Sequence, residues 1–186
     1  MTASDAHLIA LAREARTEGL ELLYRAHRAK IYTFLFRLTG DADAADDCTQ
    51  DTFVKAYHSL GQLKDDSRVL PWLYRIASNT AIDALRRRKQ VRWIPLLTLR
   101  DRPDEPHAAD DHGPVAERQH ISATLRTLPI ENAAALLLHV LEGYSYKEIA
   151  EIQGVSLTAV RSRIARARVA FREVHATSDS AQSSTG

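Results

Sequence analysis

The chain has 186 residues, in which 25 lysines and arginines nearly balance 24 aspartates and glutamates to give a formal net charge of +1. With 45% apolar residues the composition is typical of a globular protein, and no apolar run approaches the roughly 20 residues that span a membrane. The N-terminus lacks the pattern of a signal peptide, and a single cysteine excludes an internal disulfide. We therefore expect a cytoplasmic globular protein that inserts into no membrane and holds no metal or other cofactor.

Three amphipathic helices are predicted in residues 1–92, over about residues 20–38, 42–60 and 69–88. In each of them apolar residues recur at steps of three and four, which is the pattern of one buried helix face. Gly40 is placed to end the first helix, and Asp41 or Asp43 to cap the second. No convincing alternation with a period of two occurs, so we predict no sheet.

A proline-rich, acidic stretch follows. Residues 93–117 contain four prolines and six acids. Because proline removes a backbone donor and stops helices, and because the acids repel one another, we predict a flexible linker here. It separates an N-terminal domain, residues 1–92, from a C-terminal domain, residues 118–173. The polar residues 174–186 are predicted to form a disordered tail.

The C-terminal domain contains the pattern of two helices joined by a tight turn. Ser145 and Glu148 match a capping box, which begins a short helix. Gly154 suits a sharp turn with positive φ, and Ser156 is placed to cap a second helix that runs to about Phe171. This is the outline of a helix-turn-helix. The predicted fold class is therefore all-α, with two small helical domains and a helix-turn-helix in the second.

The second helix of this motif is strongly basic, because residues 155–172 contain five arginines and no acid. An anionic partner would relieve the repulsion among the arginines, and the DNA major groove is the usual partner of such a helix. A solvated arginine face is the alternative, although solvated faces normally interleave acids. The candidates for contact with base edges or phosphates are Arg161, Ser162, Ala165 and Arg166, with Ser156 and Thr158 for phosphate at the helix N-terminus.

Motifs in both domains resemble the extracytoplasmic-function group of bacterial RNA polymerase sigma factors. Residues 46–57 are similar to that family's acidic-x-x-Gln-acidic-x-Phe pattern, and residues 71–83 to its Trp-Leu-x-x-Ile-Ala-x-Asn pattern. Leu128-Pro129, residues 142–150 and residues 160–163 resemble the family's second conserved domain, in the same order and spacing. The resemblance covers roughly residues 18–92 and 118–173.

The resemblance implies a subunit without catalysis of its own, which binds core RNA polymerase, directs promoter-specific transcription initiation and is controlled by an anti-sigma factor. It assigns the minus-ten promoter element to the N-terminal domain and the minus-thirty-five element to the C-terminal domain. It also places Asp46, Asp47, Gln50 and Asp51 against the clamp helices of the polymerase. A solvated acidic helix start and, less favoured, a carboxylate metal site are the other interpretations of these four residues.

The same resemblance implies a site that melts minus-ten DNA and captures an extruded base, which needs polar groups for the base edge and a pocket for its face. The family usually has Phe-Arg-Gly-acidic in the capture loop, whereas this chain has residues Leu63 to Asp66, Leu-Lys-Asp-Asp. A run of arginines beyond the loop would lie along duplex phosphate. The residues assigned to minus-ten DNA are Lys55, Lys64, Asp65, Asp66, Ser67, Arg68, Asn79, Arg86, Arg87 and Arg88.

Two other functions fit parts of the sequence. A helix-turn-helix repressor or activator would bind DNA without polymerase. An enzyme could use Asp46, Asp47 and Asp51 on a phosphorylated substrate, but the sequence provides no nucleophile, phosphate loop or second carboxylate pair. Leu136, Leu137 and Leu138 are interpreted as core and as part of a surface that meets the polymerase flap.

Overall fold

The computed structural model describes residues 5–14, 16–63, 65, 68–91 and 115–182, and the regular secondary structure in these ranges is entirely helical. The chain divides into two compact units, Met1–Glu105 and Pro106–Gly186. The all-α prediction is therefore confirmed for the described residues. The predicted linker lies outside them as far as residue 114. No helix in the described ranges is long and apolar enough to cross a membrane.

Within each unit the helices follow one another with short connections. The first unit contains α1 (Asp5–Glu14), α2 (Arg16–Thr39), α3 (Ala42–Ser59) and α4 (Val69–Val91), with a 3₁₀ turn at Leu60–Gln62. The second contains α5 (Val115–Thr127), α6 (Ile130–Val140), α7 (Tyr146–Gln153) and α8 (Leu157–Gln182).

The junction between α2 and α3 follows the sequence prediction. Gly40 has a φ of 66°, and its N–H donates to the Phe36 carbonyl at 2.8 Å, which ends α2. Asp41 has extended backbone, and its Oδ1 accepts the N–H of Ala44 at 2.8 Å, which caps α3. A glycine in the left-handed conformation and a carboxylate N-cap are the residues that these two positions favour.

The core of the first unit forms where α2, α3 and α4 pack together. Leu23, Ile31 and Leu35 of α2 are fully buried, and the Phe34 ring meets the buried Tyr74 ring edge to face, with 5.0 Å between centroids. This aromatic pair joins α2 to α4, and such a pair adds about 0.5–1.5 kcal/mol to the free energy of burial.

Helix α1 was not predicted from the sequence. Its Ile9 and Ala12 are fully buried, and the helix packs on α2 and α4. Arg13 Nη2 donates to the Leu63 carbonyl at 2.6 Å, which ties α1 to the end of the 3₁₀ turn. The helix is short, so its three-residue step from Ile9 to Ala12 was too weak a periodic signal to predict it.

The second unit is built around α6. Residues Asn132 to Leu138 are all buried, so this helix is covered on every side, as its nearly continuous apolar sequence favours. Helix α7 begins with the predicted capping box, in which Ser145 and Glu148 satisfy each other's backbone N–H groups. Gly154 ends α7 with a φ of 65°, and Ser156 Oγ accepts the N–H of Ala159 at 3.2 Å at the start of α8. The predicted helix-turn-helix is therefore present.

Helix α8 differs from the prediction at its end. The sequence predicted that it would stop near Phe171 and that residues 174–186 would be disordered, but the helix continues to Gln182. No proline or glycine occurs between Leu157 and Gln182, so nothing in this stretch breaks the helical hydrogen bonding. The start of α5 at Val115 likewise falls within residues that were predicted as linker.

Candidate protein- and DNA-binding surfaces

The acidic residues that resemble a polymerase-docking motif lie together on the outer side of α3. Asp47, Gln50 and Asp51 are exposed and Asp46 is half-buried, while Phe53 of the same helix is buried in the core. Their spacing of one, four and five positions places them on adjacent turns of one face. The Gln50 Nε2 donates to Asp46 Oδ2 at 3.0 Å, which links two of the four side chains.

An arginine of α2 also belongs to this surface. Arg28 Nη2 donates to Asp46 Oδ1 at 3.0 Å, and its guanidinium carbon lies 5.9 Å from the ring centroids of both Tyr24 and Tyr32. The hydrogen bond to Asp46, and secondarily the charge interaction with Tyr24, raises the pKa of Arg28 above its ordinary value. Sequence analysis missed Arg28. The four-residue spacing of Tyr24, Arg28 and Tyr32, which places them on one helix face, was the signal that could have found it.

The remaining carboxylates of this surface are unpaired. Neither Asp47 nor Asp51 makes a side-chain hydrogen bond or ion pair with another described residue. Val54, four positions after Gln50, is 55% exposed and extends the face with an apolar side chain. Burial, reinforced by the nearby charges of Asp51 and Asp47, raises the pKa of the Cys48 thiol, which therefore stays protonated and unreactive at neutral pH. Among the described residues no group of three acids, histidines or cysteines is placed to hold a metal ion.

The residues assigned to minus-ten DNA lie at the end of α3, in the following loop and on α4. Lys55 Nζ donates to Thr80 Oγ1 at 3.0 Å, so this lysine crosses from α3 to α4 beside the exposed Asn79. In the loop, the N–H of Arg68 donates to the Asp65 carbonyl at 3.0 Å. Lys64, Asp66 and Ser67 lie outside the described residues. Leu63, which stands where the family usually has an aromatic residue, is only 6% exposed and belongs to the core.

The basic run near the end of α4 is partly neutralised by an acid of the same unit. Arg86, Arg87 and Arg88 are all exposed, but Arg88 Nη2 lies 2.7 Å from Asp41 Oδ2. Burial alone would raise the pKa of Asp41, but the hydrogen bonds from Ala44 N–H and Arg88 outweigh it and lower that pKa. Asp41 therefore caps α3 with one oxygen and holds Arg88 with the other.

The residues assigned to minus-thirty-five DNA lie on the first turns of α8. Ser156, Thr158, Arg161, Ala165 and Arg166 are exposed and Ser162 is half-buried. Arg161 and Arg166 make no side-chain hydrogen bond or ion pair with another described residue. The Ser156 hydroxyl already caps the helix. The two arginines therefore offer uncompensated positive charge on the surface of the helix-turn-helix.

Arg163 has a different role from its neighbours. Its Nη1 donates to Gln153 Oε1 at 2.7 Å, and Gln153 Nε2 donates to the Glu131 carbonyl at 3.2 Å. These two hydrogen bonds connect α8 through α7 to α6. Arg163 thus holds α8 on α7, and its guanidinium is engaged within the unit, in contrast to Arg161 and Arg166.

A groove of about 800 Å³ between α5, α6 and α8 was not predicted as a site. Val140 and Leu141 at its edge are 61% and 47% exposed, and Arg168 and Arg172 carry positive charge beside the apolar walls. Sequence analysis missed it because its walls come from three helices. Its lining residues are Ile121, Leu125, Leu136, Leu137, Val140, Leu141, Ala165, Arg168, Val169, Phe171 and Arg172.

Comparison with known proteins shows the family to which the chain belongs. Residues 23–91 match Sigma-70 region 2 and residues 118–171 match Sigma-70 region 4. The chain is 35% identical over 176 residues to the RNA polymerase sigma-H factor of Pseudomonas aeruginosa, covering 90% of this chain and 91% of that protein. The chain belongs to the extracytoplasmic-function sigma factors. It is also 34% identical over 174 residues to the ECF RNA polymerase sigma factor SigE of Mycolicibacterium smegmatis, covering 91% of this chain and 67% of that protein.

The fold of this sigma factor has a solved counterpart in CnrH, whose structure was determined in complex with the cytosolic domain of CnrY. The two align with a TM-score of 0.67 and 26% identity, over 94% of this chain and 99% of CnrH. In the sigma factor, α3 and α4 lie within region 2, and α6 and α7 lie within region 4. As a sigma factor, the protein is a transcription initiation factor that acts with core RNA polymerase and promoter DNA.

Proposed function

We propose that this sigma factor acts in the cytoplasm without catalysis of its own, binding core RNA polymerase through α3 and placing its two units on two promoter elements. The observation that carries the proposal is the separation of unpaired charge. Among the described residues, Asp47 and Asp51 on α3 and Arg161 and Arg166 on α8 are exposed and make no side-chain hydrogen bond or ion pair. Opposite charges in separate units suit a basic protein surface on one side and DNA phosphates on the other.

Docking on polymerase uses the outer face of α3. Asp47, Gln50 and Asp51 supply charge and hydrogen-bonding groups, and the exposed Val54 adds apolar contact at the edge. Protein interfaces combine such apolar contacts with a polar rim, and long-range attraction between acids and a basic partner accelerates association. Because these residues lie on α3, we assign the contact with the polymerase clamp to region 2.

Recognition of the minus-ten element uses the loop after α3 and the exposed side of α4. Lys55 is hydrogen-bonded to Thr80, the residue that follows the exposed Asn79, and an ammonium and an amide group are suited to the polar edge of an extruded base. Arg86 and Arg87 then lie along the duplex phosphates. Contacts of this second kind add affinity without sequence information and weaken as salt rises.

Recognition of the minus-thirty-five element uses the exposed start of α8. Arg161 and Arg166 have the bidentate geometry that suits guanine or phosphate, and Thr158 lies near the helix N-terminus, where phosphates bind well. Arg163 contributes indirectly by holding α8 on α7. We therefore expect base selectivity from Arg161 and Arg166 rather than from all five arginines.

The groove of region 4 is a site for an amphipathic helix of a protein partner. Its apolar walls and the flanking Arg168 and Arg172 match a helix with an apolar stripe and acidic edges. We assign this surface to the polymerase flap, in agreement with the interpretation of Leu136 and Leu137. CnrH was solved in complex with the cytosolic domain of CnrY, and we propose that this sigma factor is held inactive by an anti-sigma factor.

Transcription with purified core RNA polymerase tests the function as a whole. We expect promoter-dependent transcripts from genomic fragments, and co-purification of the chain with core enzyme. Asp47→Ala should reduce co-purification, whereas Arg161→Ala should reduce transcripts but leave co-purification intact. Arg25→Ala, an exposed arginine already paired with Glu21, serves as the control. A DNA footprint without polymerase, combined with no initiation and no co-purification, would instead indicate an independent helix-turn-helix regulator.

A further inference from the structure

Arg28 is placed to control the shape of the acidic face of α3 without belonging to that helix. Its guanidinium lies between two tyrosines of α2, 5.9 Å from each ring centroid, and it reaches Asp46 at 3.0 Å. Side chains that stack on aromatic rings lose much of their rotational freedom. The carboxylate that pairs with Arg28 is therefore held in a defined position, although Arg28 and Asp46 keep 48% and 42% of their side chains exposed.

Both oxygens of Asp46 are engaged within the protein. Oδ1 accepts from Arg28 and Oδ2 accepts from Gln50 Nε2, each at 3.0 Å. Asp46 consequently offers no unpaired charge to a partner, in contrast to Asp47 and Asp51. The hydrogen bond to Asp46 fixes the amide of Gln50, and it leaves the Gln50 Oε1 as an acceptor without a described side-chain partner.

We propose that Arg28 is a positioning residue for polymerase docking, which acts through Asp46 to orient Gln50 beside Asp47 and Asp51. The proposal rests on the docking function of α3 proposed above and deepens it. Among the four residues on the outer face of α3, Asp46 then binds only side chains of this protein, Arg28 and Gln50. The other three, Asp47, Gln50 and Asp51, face the polymerase. A guanidinium is required because it pairs with a carboxylate and stacks on rings at the same time, which an ammonium group does less well.

A double-mutant cycle on the full chain separates this role from direct contact. The affinity for core RNA polymerase is measured for Arg28→Ala, Asp46→Ala and the double variant. We expect each single variant to lose about fivefold in affinity, and the double variant to lose no more than either one, because both substitutions release the same Gln50 side chain. Losses that multiply in the double variant would show that Arg28 contacts the polymerase itself, which would overturn the proposal.

A Gln50→Ala background adds a readout that a general structural role would not move. Gln50→Ala removes the side chain that Arg28 and Asp46 orient, so Arg28→Ala should cost little further affinity for core polymerase in that background. A full fivefold further loss from Arg28→Ala in that background would refute the proposal. Arg28→Lys should recover only part of the affinity. Unchanged thermal unfolding of each variant confirms that the fold is intact, since Arg28 and Asp46 are both solvent-accessible.

Two controls separate failure of this proposal from failure of the docking function. Arg25→Ala removes another exposed arginine of α2, which pairs with Glu21 and not with α3, and should leave the affinity unchanged. Asp47→Ala should weaken binding whatever Arg28 does. If Asp47→Ala weakens binding while Arg28→Ala does not, the positioning role is wrong and the docking surface stands. If Asp47→Ala has no effect, the docking surface is wrong and the positioning role falls with it.

Discussion

Asp41 stabilises the first unit in two separable ways, which a pair of substitutions distinguishes. Its Oδ1 caps α3 at 2.8 Å from the Ala44 nitrogen, and its Oδ2 pairs with Arg88 at 2.7 Å. Asp41→Ala removes both interactions, whereas Asp41→Asn retains the cap, since asparagine is as good an N-cap as aspartate. The two variants should therefore differ in the free energy of unfolding.

The exposure of Asp41 and Arg88 sets how much free energy of unfolding each substitution should remove. Loss of a helix N-cap costs about 1 kcal/mol. The ion pair contributes at most about 1 kcal/mol, because the Arg88 side chain is 58% exposed and solvent screens it. We therefore expect Asp41→Ala to lose about 1–2 kcal/mol, and Asp41→Asn and Arg88→Ala about 0.5 kcal/mol each.

The assay is urea unfolding followed by tryptophan fluorescence. Trp72 lies on α4 and residues 106–186 contain no tryptophan, so the fluorescence change in a Trp93→Phe background reports on the first unit separately from region 4. Equal losses for Asp41→Ala and Asp41→Asn would refute the capping argument. No loss for either variant would refute both contributions.

The pH dependence of the same variants gives an independent check. The pKa of Asp41 is lowered in the folded protein, so its unfolded form binds a proton more readily than its folded form. Its contribution is therefore fully present above the ordinary pKa of 3.8 and is lost as the pH falls through the lower folded value. The difference in free energy of unfolding between the natural chain and Asp41→Asn should shrink as the pH falls from 3.8 through the lower folded pKa. A difference that grows on acidification would contradict the assigned direction.

Four further substitutions test the region 4 unit, and Gly61→Ala in the first unit serves as a comparison. Gly154 has a φ of 65°, and a Cβ added there would meet no atom within 4 Å. Gly154→Ala should therefore lower the free energy of unfolding by about 1 kcal/mol through backbone strain alone, as measured by thermal unfolding. Gly61→Ala, which is equally uncrowded but has no positive φ, should cost less. Arg161→Ala should relax base selectivity within the minus-thirty-five element, measured as the difference in affinity between promoter variants, without loss of stability. Arg163→Ala should instead destabilise the unit by about 1 kcal/mol, because it breaks the hydrogen bond to Gln153. Val140→Asp should abolish capture of a partner helix in the groove while leaving the circular dichroism spectrum unchanged, because Val140 is 61% exposed; retained capture would show that the groove is not the docking surface.

The local structure of this protein is largely encoded in short sequence signals. Gly40 with Asp41, Ser145 with Glu148, and Gly154 each determine where a helix begins or ends through backbone conformation and capping, so their effect depends on only a few neighbouring residues. The motifs that resemble sigma factors are equally local, which is why the family was recognisable before the fold was known.

The tertiary structure decided which charged groups are available to partners. The sequence places Arg88, Arg163 and Asp46 among similar residues, but packing pairs them with Asp41, Gln153 and Arg28, from segments separated along the chain. The groove of region 4 likewise needs α5, α6 and α8 together before its walls exist. The apolar period of a helix predicts which residues within about one turn share a face. Ion pairs between helices depend instead on how helices that are separate in the sequence pack together. The sequence by itself therefore determined the family, the helices α2, α3, α4 and α7 and the start of α8, and the packing determined which acids and arginines of the described residues remain free to bind.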